Sequence, residues 1–314
     1  MPVATALDHA ATFRCPAHWD AGGATWEPCA MSAVDGGSLF PGKHFISTVL
    51  EALETKTAMS GHLAHRYLQR AGMAGIIIGV FYTINYAVVA AFRQVPAGAA
   101  TLAPIGRVVG ALAFGWALVF IYYSKSELLT SNMMIVSIGA YHRRTSWSKS
   151  LRVLGLCFVG NFLGGLVIAG LTWMSTLTQG PVLAEMESAV EHKLAYVSTG
   201  WTGWADLFAR AVLCNLLINM AMLLVYNGLI KDDLTKSLVM VMAVFVFAFA
   251  GLEHSVANTV LFTMVGLREG IDVGLAAGNV AIALLGNFVG GGVLIGLYYA
   301  YVNDDRRFLT GRKG

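Results

Sequence analysis

The amino-acid sequence predicts an all-α membrane protein: six transmembrane helices in two inverted three-helix repeats, with the second and fifth helices broken. Three observations predict it. The 314 residues are 56% hydrophobic and only 12% charged, against roughly 25% charged in a soluble domain. The apolar residues gather in six segments long enough for a bilayer core, which needs about 20 of them in a helix. Two polar signatures also recur inside those segments, Glu127-Leu-Leu-Thr130-Ser-Asn132 and Glu253-His254-Ser255-Val-Ala-Asn258. Each is followed by a glycine-asparagine motif, Gly160-Asn161-Phe-Leu-Gly164-Gly165 and Gly286-Asn287-Phe-Val-Gly290-Gly291-Gly292. Both motifs are displaced by the same 126 residues, and one displacement shared by two motifs marks an internal repeat.

Taken in chain order, residues 1–42 are rich in Ala, Gly, Pro and Asp and lack the basic start and apolar run of a secretory signal. They predict a polar, disordered leader. Over 43–70, Phe45, Val49, Leu50, Leu53, Met59, Leu63 and Leu68 recur at helical spacing among polar residues. This predicts an amphipathic helix, lying along the membrane surface or packed on a neighbouring subunit. The membrane domain is expected over 71–303, with repeats at about 71–178 and 207–303 and a tail at 304–314. Its spans fall near 71–93, 103–140, 151–177, 207–230, 236–267 and 277–302. The second and fifth exceed the length required, and each holds one polar cluster, so both are read as interrupted. Backbone leaves the helix at membrane depth only where it is buried in protein or lines a cavity. Three spans per repeat is an odd number, so the repeats cross in opposite senses.

Charge reports topology. Arg66 and Arg70, Arg143, Arg144 and Lys149, Lys231 and Lys236, and Arg306, Arg307, Arg312 and Lys313 fall on one side of this map. The positive-inside rule then places both termini in the cytoplasm, and the expected location is a bacterial-type plasma (inner) membrane. The third connection faces out, carrying Glu185, Glu187, Glu191 and the interfacial aromatics Trp201 and Trp204. A net charge of +3 without a basic stripe excludes nucleic acid as a partner. Of the four cysteines, Cys157 and Cys214 lie in apolar runs, which gives no disulfide framework. Cys15 and Cys29 with His9 and His18 fit no zinc spacing. Neither a metal nor a cofactor is expected.

Polar residues at membrane depth are costly and mark transport paths. His254 is the sharpest candidate: it follows Glu253, sits at a predicted break and occupies a half-repeat whose partner cluster offers Thr130 and Asn132. A buried imidazole donates a hydrogen bond while neutral. Glu127 and Glu253 are expected to hold the broken backbone by accepting bonds from freed N–H groups, together with Asn132 and Asn258. The pairs Gly160/Gly164 and Gly286/Gly290 follow the small-xxx-small spacing of close helix contacts. Asn161 and Asn287 are expected to satisfy backbone groups near the breaks.

The Glu-His-Ser-x-Ala-Asn segment, the Leu-x-Thr-Ser segment and the paired Gly-Asn-Phe-x-Gly-Gly motifs resemble the formate/nitrite transporter family, over about residues 70–303. The resemblance implies an aquaporin-like subunit, a homopentamer with one pore per subunit, and passage of small monovalent anions such as formate, nitrite, hydrosulfide or lactate, with or without a proton. His254 matches the family's central pore histidine and Thr130 the threonine of the second-helix break. Phe114, Leu118, Leu128 and Phe247 match the apolar constrictions on either side of the histidine. Lys193 matches a lysine that attracts anions to the outer vestibule, and Asn219 an asparagine reaching the same site. The sequence departs from the family at Lys125, near Tyr122 and Tyr123, where a small residue is usual, and at Leu129, where Phe is usual.

Two rival readings stand beside this one. An intramembrane enzyme using His254 and Glu253 lacks a Ser/His/Asp set or a second catalytic carboxylate at matching depth. An aquaporin-like channel for small neutral solutes is the closer alternative, although paired Asn-Pro-Ala motifs are absent from the sequence.

Overall fold

The computed structural model describes residues 14–18, 25–28, 39–97 and 100–306. The rest of the leader, with His9 and Cys29, and the tail beyond 306 lie outside the described residues. Two units are described separately, Met1–Pro41 and Gly42–Gly314. In the first, strand β1 (Arg14–His18) pairs antiparallel with β2 (Thr25–Pro28), Cys15 opposite Glu27. A leader without regular structure was the expectation, and this pairing is the difference.

Among its described residues the second unit's regular structure is helical apart from a two-residue pairing of β3 (Pro96–Ala97) with β4 (Ala100–Thr101). Helix α1 (Lys43–His62) buries Phe45, Ile46, Val49 and Leu53. Its apolar face packs within its own subunit: Phe45 meets the Tyr299 ring edge-on at 6.1 Å. Gly42 N donates to Asn303 Oδ1 at 2.8 Å, and Lys43 pairs with Asp305, tying the start of α1 to the chain end. The helix stops at Leu63, where the backbone leaves the helical region (φ −129, ψ 39). Residues 64–70 therefore open the next helix instead of prolonging the amphipathic one.

Helix α2 (Ala64–Arg93) is followed by α3 (Ala103–Tyr123), which Pro104 helps to start, since a first-turn proline forfeits no intrahelical bond. The chain leaves the helix at residues 124–128 and resumes as α4 (Leu129–Tyr141). Helix α5 (Trp147–Trp173) begins at Ser146, whose Oγ accepts from Lys149 N. The third connection contains α6 (Pro181–Ser198), a helix the sequence reading did not foresee, with Met186, Val190 and Tyr196 buried. Helix α7 (Trp201–Tyr226) leads to α8 (Asp233–Phe249), capped by Asp232. A second break at residues 250–254 precedes α9 (Ser255–Glu269). Helix α10 runs Val273–Val302, capped by Asp272 and widened to a π-helix over Phe288–Leu297.

Among the described residues five helices are long and apolar enough to cross a membrane: α2, α3, α5, α7 and α10. The two breaks fall inside the expected second and fifth spans. Close packing comes from the glycines. A Cβ on Gly164 would lie 1.9 Å from Gly72 O and one on Gly160 would lie 2.4 Å from Ala71 Cβ, which fixes α5 against α2. In the other half, a Cβ on Gly290 would lie 2.1 Å from Val212 O and one on Gly286 would lie 2.6 Å from Ala211 Cβ. Helix backbones approach this closely only where no side chain intervenes.

Candidate functional site

The two breaks are built alike. At the first, Asn161 Nδ2 donates to Glu127 O (2.8 Å) and to Ala71 O (2.8 Å), while its Oδ1 accepts from Leu129 N (3.2 Å). At the second, Asn287 Nδ2 donates to Glu253 O (3.0 Å) and Ala211 O (2.8 Å), and Oδ1 accepts from Ser255 N (2.9 Å). One amide thus satisfies the backbone on both sides of each gap, as an unpaired group at this depth requires.

The carboxylates do something other than expected. Glu127 accepts from Asn132 Nδ2 (3.2 Å) and pairs with Lys56 and, at 3.4 Å, Arg70. Glu253 accepts from Asn258 Nδ2 (2.6 Å) and both its oxygens bind Lys193 Nζ at 2.9 Å. Their side chains are only 3% and 2% exposed, and an ionised carboxylate at that burial needs cationic and amide partners. Of the freed N–H groups, those of Leu129 and Ser255 go to the asparagines, and that of Glu127 to Arg70 O.

Arg70 and Arg210 hold the breaks from outside. Arg70 Nε donates to Lys125 O at 2.7 Å, and Arg210 Nη1 to Gly251 O at 3.1 Å. Each precedes an alanine, Ala71 or Ala211, whose carbonyl the break asparagine uses. Sequence reasoning missed both arginines, although their shared 140-residue displacement in an Arg-Ala pair is a readable signal. It also missed Lys56, which has no in-register counterpart to betray it.

Where the half-helices α4 and α9 begin, His254 Nε2 lies 3.0 Å from Thr130 Oγ1. His254 Nδ1 caps α9 by accepting from Ala257 N at 3.0 Å. In the neutral ring this assigns the proton to Nε2, so the imidazole donates to Thr130, whose hydroxyl hydrogen remains available. Two helix amino ends facing one another make the junction electropositive.

Phe114, Leu118, Leu128 and Phe247 surround His254 in a cavity of only about 20 Å³, room for about one water. The Phe247 ring stacks on His254 at 5.8 Å and meets Phe114 edge-on at 6.1 Å. Leu118 and Leu128 also line a first vestibule of about 360 Å³ that includes Lys56, Arg70, Lys125 and Glu127. Phe114 and Phe247 also line a second, of about 480 Å³, with Arg93, Arg107, His192, Lys193, Arg210 and Glu253. Helix α3 contributes Arg107 near its start to the second and Tyr122 at its end to the first, so the vestibules lie at opposite ends of that helix.

Thr130 reaches this neck only through His254; it is fully buried behind it. Asn219 is not among the lining residues of the second vestibule, contrary to its expected reach toward Lys193. One helical turn after Asn215 on α7, its amide donates to Thr130 O (3.2 Å) and to Asn215 Oδ1 (2.8 Å). That face of α7 turns toward the break, where Asn215 itself donates to Thr130 O (3.1 Å) and Asn287 O (2.7 Å).

Comparison with known proteins agrees with this architecture. A family model described as formate/nitrite transporter matches residues 43–301. The chain is 27% identical over 256 residues to the formate channel FocA of Haemophilus influenzae, covering 73% of this chain and 85% of that protein. It is 29% identical over 198 residues to the nitrite transporter NirC of Salmonella typhimurium, covering 62% and 70%. A solved pentameric formate channel with formate bound superposes with a TM-score of 0.62 at 22% identity, covering 77% of this chain and 98% of that one. With its helices, breaks and motifs inside the matched region, the chain belongs to the formate/nitrite transporter family.

Proposed function

We propose that this protein is a membrane channel or transporter for small monovalent anions of weak acids, formate, nitrite or a close relative, which cross as the anion or with a proton past His254. The observation that carries the reading is the narrow apolar neck at His254, joining two cation-lined vestibules where two half-helix amino ends meet. Cations and helix dipoles draw an anion inward, and the neck denies it water.

The cost of that neck sets the mechanism. Taking a bare carboxylate-sized anion through an apolar ring costs several kcal/mol even after relaxation. Protonating an acid of pKa near 3.5 at pH 7 costs about 5 kcal/mol at roughly 1.36 per unit. The two routes are comparable, so pH selects between them. His254 lines the neck, its ring held by Thr130 and Ala257 N, at the point where the anion has lost its water.

In this reading α3 with α4, and α8 with α9, each complete one interrupted span, which gives six spans in two inverted repeats with both termini cytoplasmic. The paired Asn161/Asn287 and Glu127/Glu253 geometries support the repeat. Likeness to the solved pentameric channel supports five subunits with separate pores, and exposed apolar side chains such as Leu151, Leu171 and Leu285 offer surface for lipid or neighbouring subunits. Native mass spectrometry with a dominant dimer or tetramer would count against the pentamer.

Uptake into proteoliposomes across formate, nitrite, hydrosulfide, lactate and acetate tests the function. Flux of at least one of these above empty liposomes is expected. Water or glycerol flux with no anion flux would replace this reading by a neutral-solute channel.

A further inference from the structure

Lys125 sits at the first break with φ +57, in the left-handed region that glycine enters freely and a side chain does not. Its counterpart 126 residues on is Gly251, with φ +65. The backbone task is the same at both, because Arg70 binds the carbonyl of Lys125 and Arg210 that of Gly251. Glycine would therefore serve the turn, and lysine strains it. Strain kept at a functional break points to what the side chain does there.

What the lysine adds is a charge with no carboxylate partner among the described residues. Lys56 and Arg70 both engage Glu127. Among the described residues Lys125 has no carboxylate within ion-pair distance; its ammonium lies 5.0 Å from the centre of the Tyr122 ring and the residue is exposed in the first vestibule. We propose that Lys125 concentrates small monovalent anions in the first vestibule, its charge retained despite the strain it imposes on the turn. The inference rests on the anion-transport reading above.

The test compares wild type, Lys125→Gly, Lys125→Gln and Lys125→Arg, reconstituted and measured by solid-supported membrane electrophysiology with anion supplied from the first-vestibule side. An impermeant salt sets the ionic strength. At ~10 mM the Gly and Gln variants are expected to carry about threefold less initial current than wild type, and at ~1 M, where the screening length is about 3 Å, the difference disappears. Lys125→Arg keeps the wild-type current, and Lys125→Gly melts at a higher temperature because the strain is gone. The Gln variant keeps the strain and tests charge alone. Gly and Gln currents superimposable on wild type at low ionic strength overturn this inference alone. No anion current in wild type overturns the transport reading and this inference together.

Discussion

Thr130 Oγ1 and His254 Nε2 stand 3.0 Å apart where the amino ends of α4 and α9 face one another. Because His254 Nδ1 is occupied by Ala257 N–H, the ring cannot accept a second proton there without losing the cap. The contact therefore joins two jobs, ending one half-helix and fixing the ring that lines the neck.

Those jobs separate in His254→Asn. Asparagine is a strong N-cap, so the variant should assemble and keep α9. It lacks an imidazole, so the pH dependence of weak-acid uptake should shift, with proton-coupled uptake reduced more than downhill anion flow. Uptake against pH at equal protein density is the measurement, and superimposable profiles would leave His254 a capping residue only.

Lys193 is both a vestibule cation and the partner of buried Glu253. Lys193→Met should strip that carboxylate of its charge partner and cost about 3 kcal/mol, as removal of one member of a buried pair does. Lys193→Met with Glu253→Gln should recover most of the loss. Thermal unfolding in detergent, run as a double-mutant cycle, checks this; a double-variant loss equal to the sum of the two single losses would mean the pair is not coupled.

Asn161→Leu and Asn287→Leu each remove three hydrogen bonds to backbone at a break. Loss of about 2–4 kcal/mol is expected from each, at ~1 kcal/mol per bond with a penalty for the orphaned groups. Size-exclusion profiles and melting temperatures report it. A melting temperature unchanged in either variant would contradict the bridging role.

Gly164→Ala places a methyl 1.9 Å from Gly72 O, a backbone atom that cannot give way. It should force α2 and α5 apart and cost at least 1–3 kcal/mol. Gly170→Ala, on the same helix, meets nothing within 4 Å and should be neutral or stabilising by up to about 1 kcal/mol. Equal melting temperatures for the two would refute the packing argument.

The sequence disclosed more of the fold than of the site. The repeat displacement predicts both breaks, because Glu127 and Glu253 lie in apolar runs too long for one span. It also shows which glycines allow close approach. The four constriction residues read as ordinary core from their own chemistry, and the family resemblance singled them out. The structure gathers them around His254. Asn219 turns to Thr130 O, which the sequence does not show, since a helix position tells which face it shares with Asn215 but not what that face meets.

The sequence by itself determined the apolar segments, the two interruptions and the paired motifs, because bilayer thickness and the cost of unpaired backbone act locally along the chain. Tertiary structure alone decided that Lys56 meets Glu127 across 71 residues and Lys193 meets Glu253 across 60. It also decided that α1 packs on its own subunit and that Arg70 clamps Lys125. These partners are chosen by how α1, which carries Lys56, and α6, which carries Lys193, seat against the breaks. That choice depends on three-dimensional approach at glycine contacts, and no spacing in the sequence encodes which distant cation will arrive beside a buried carboxylate.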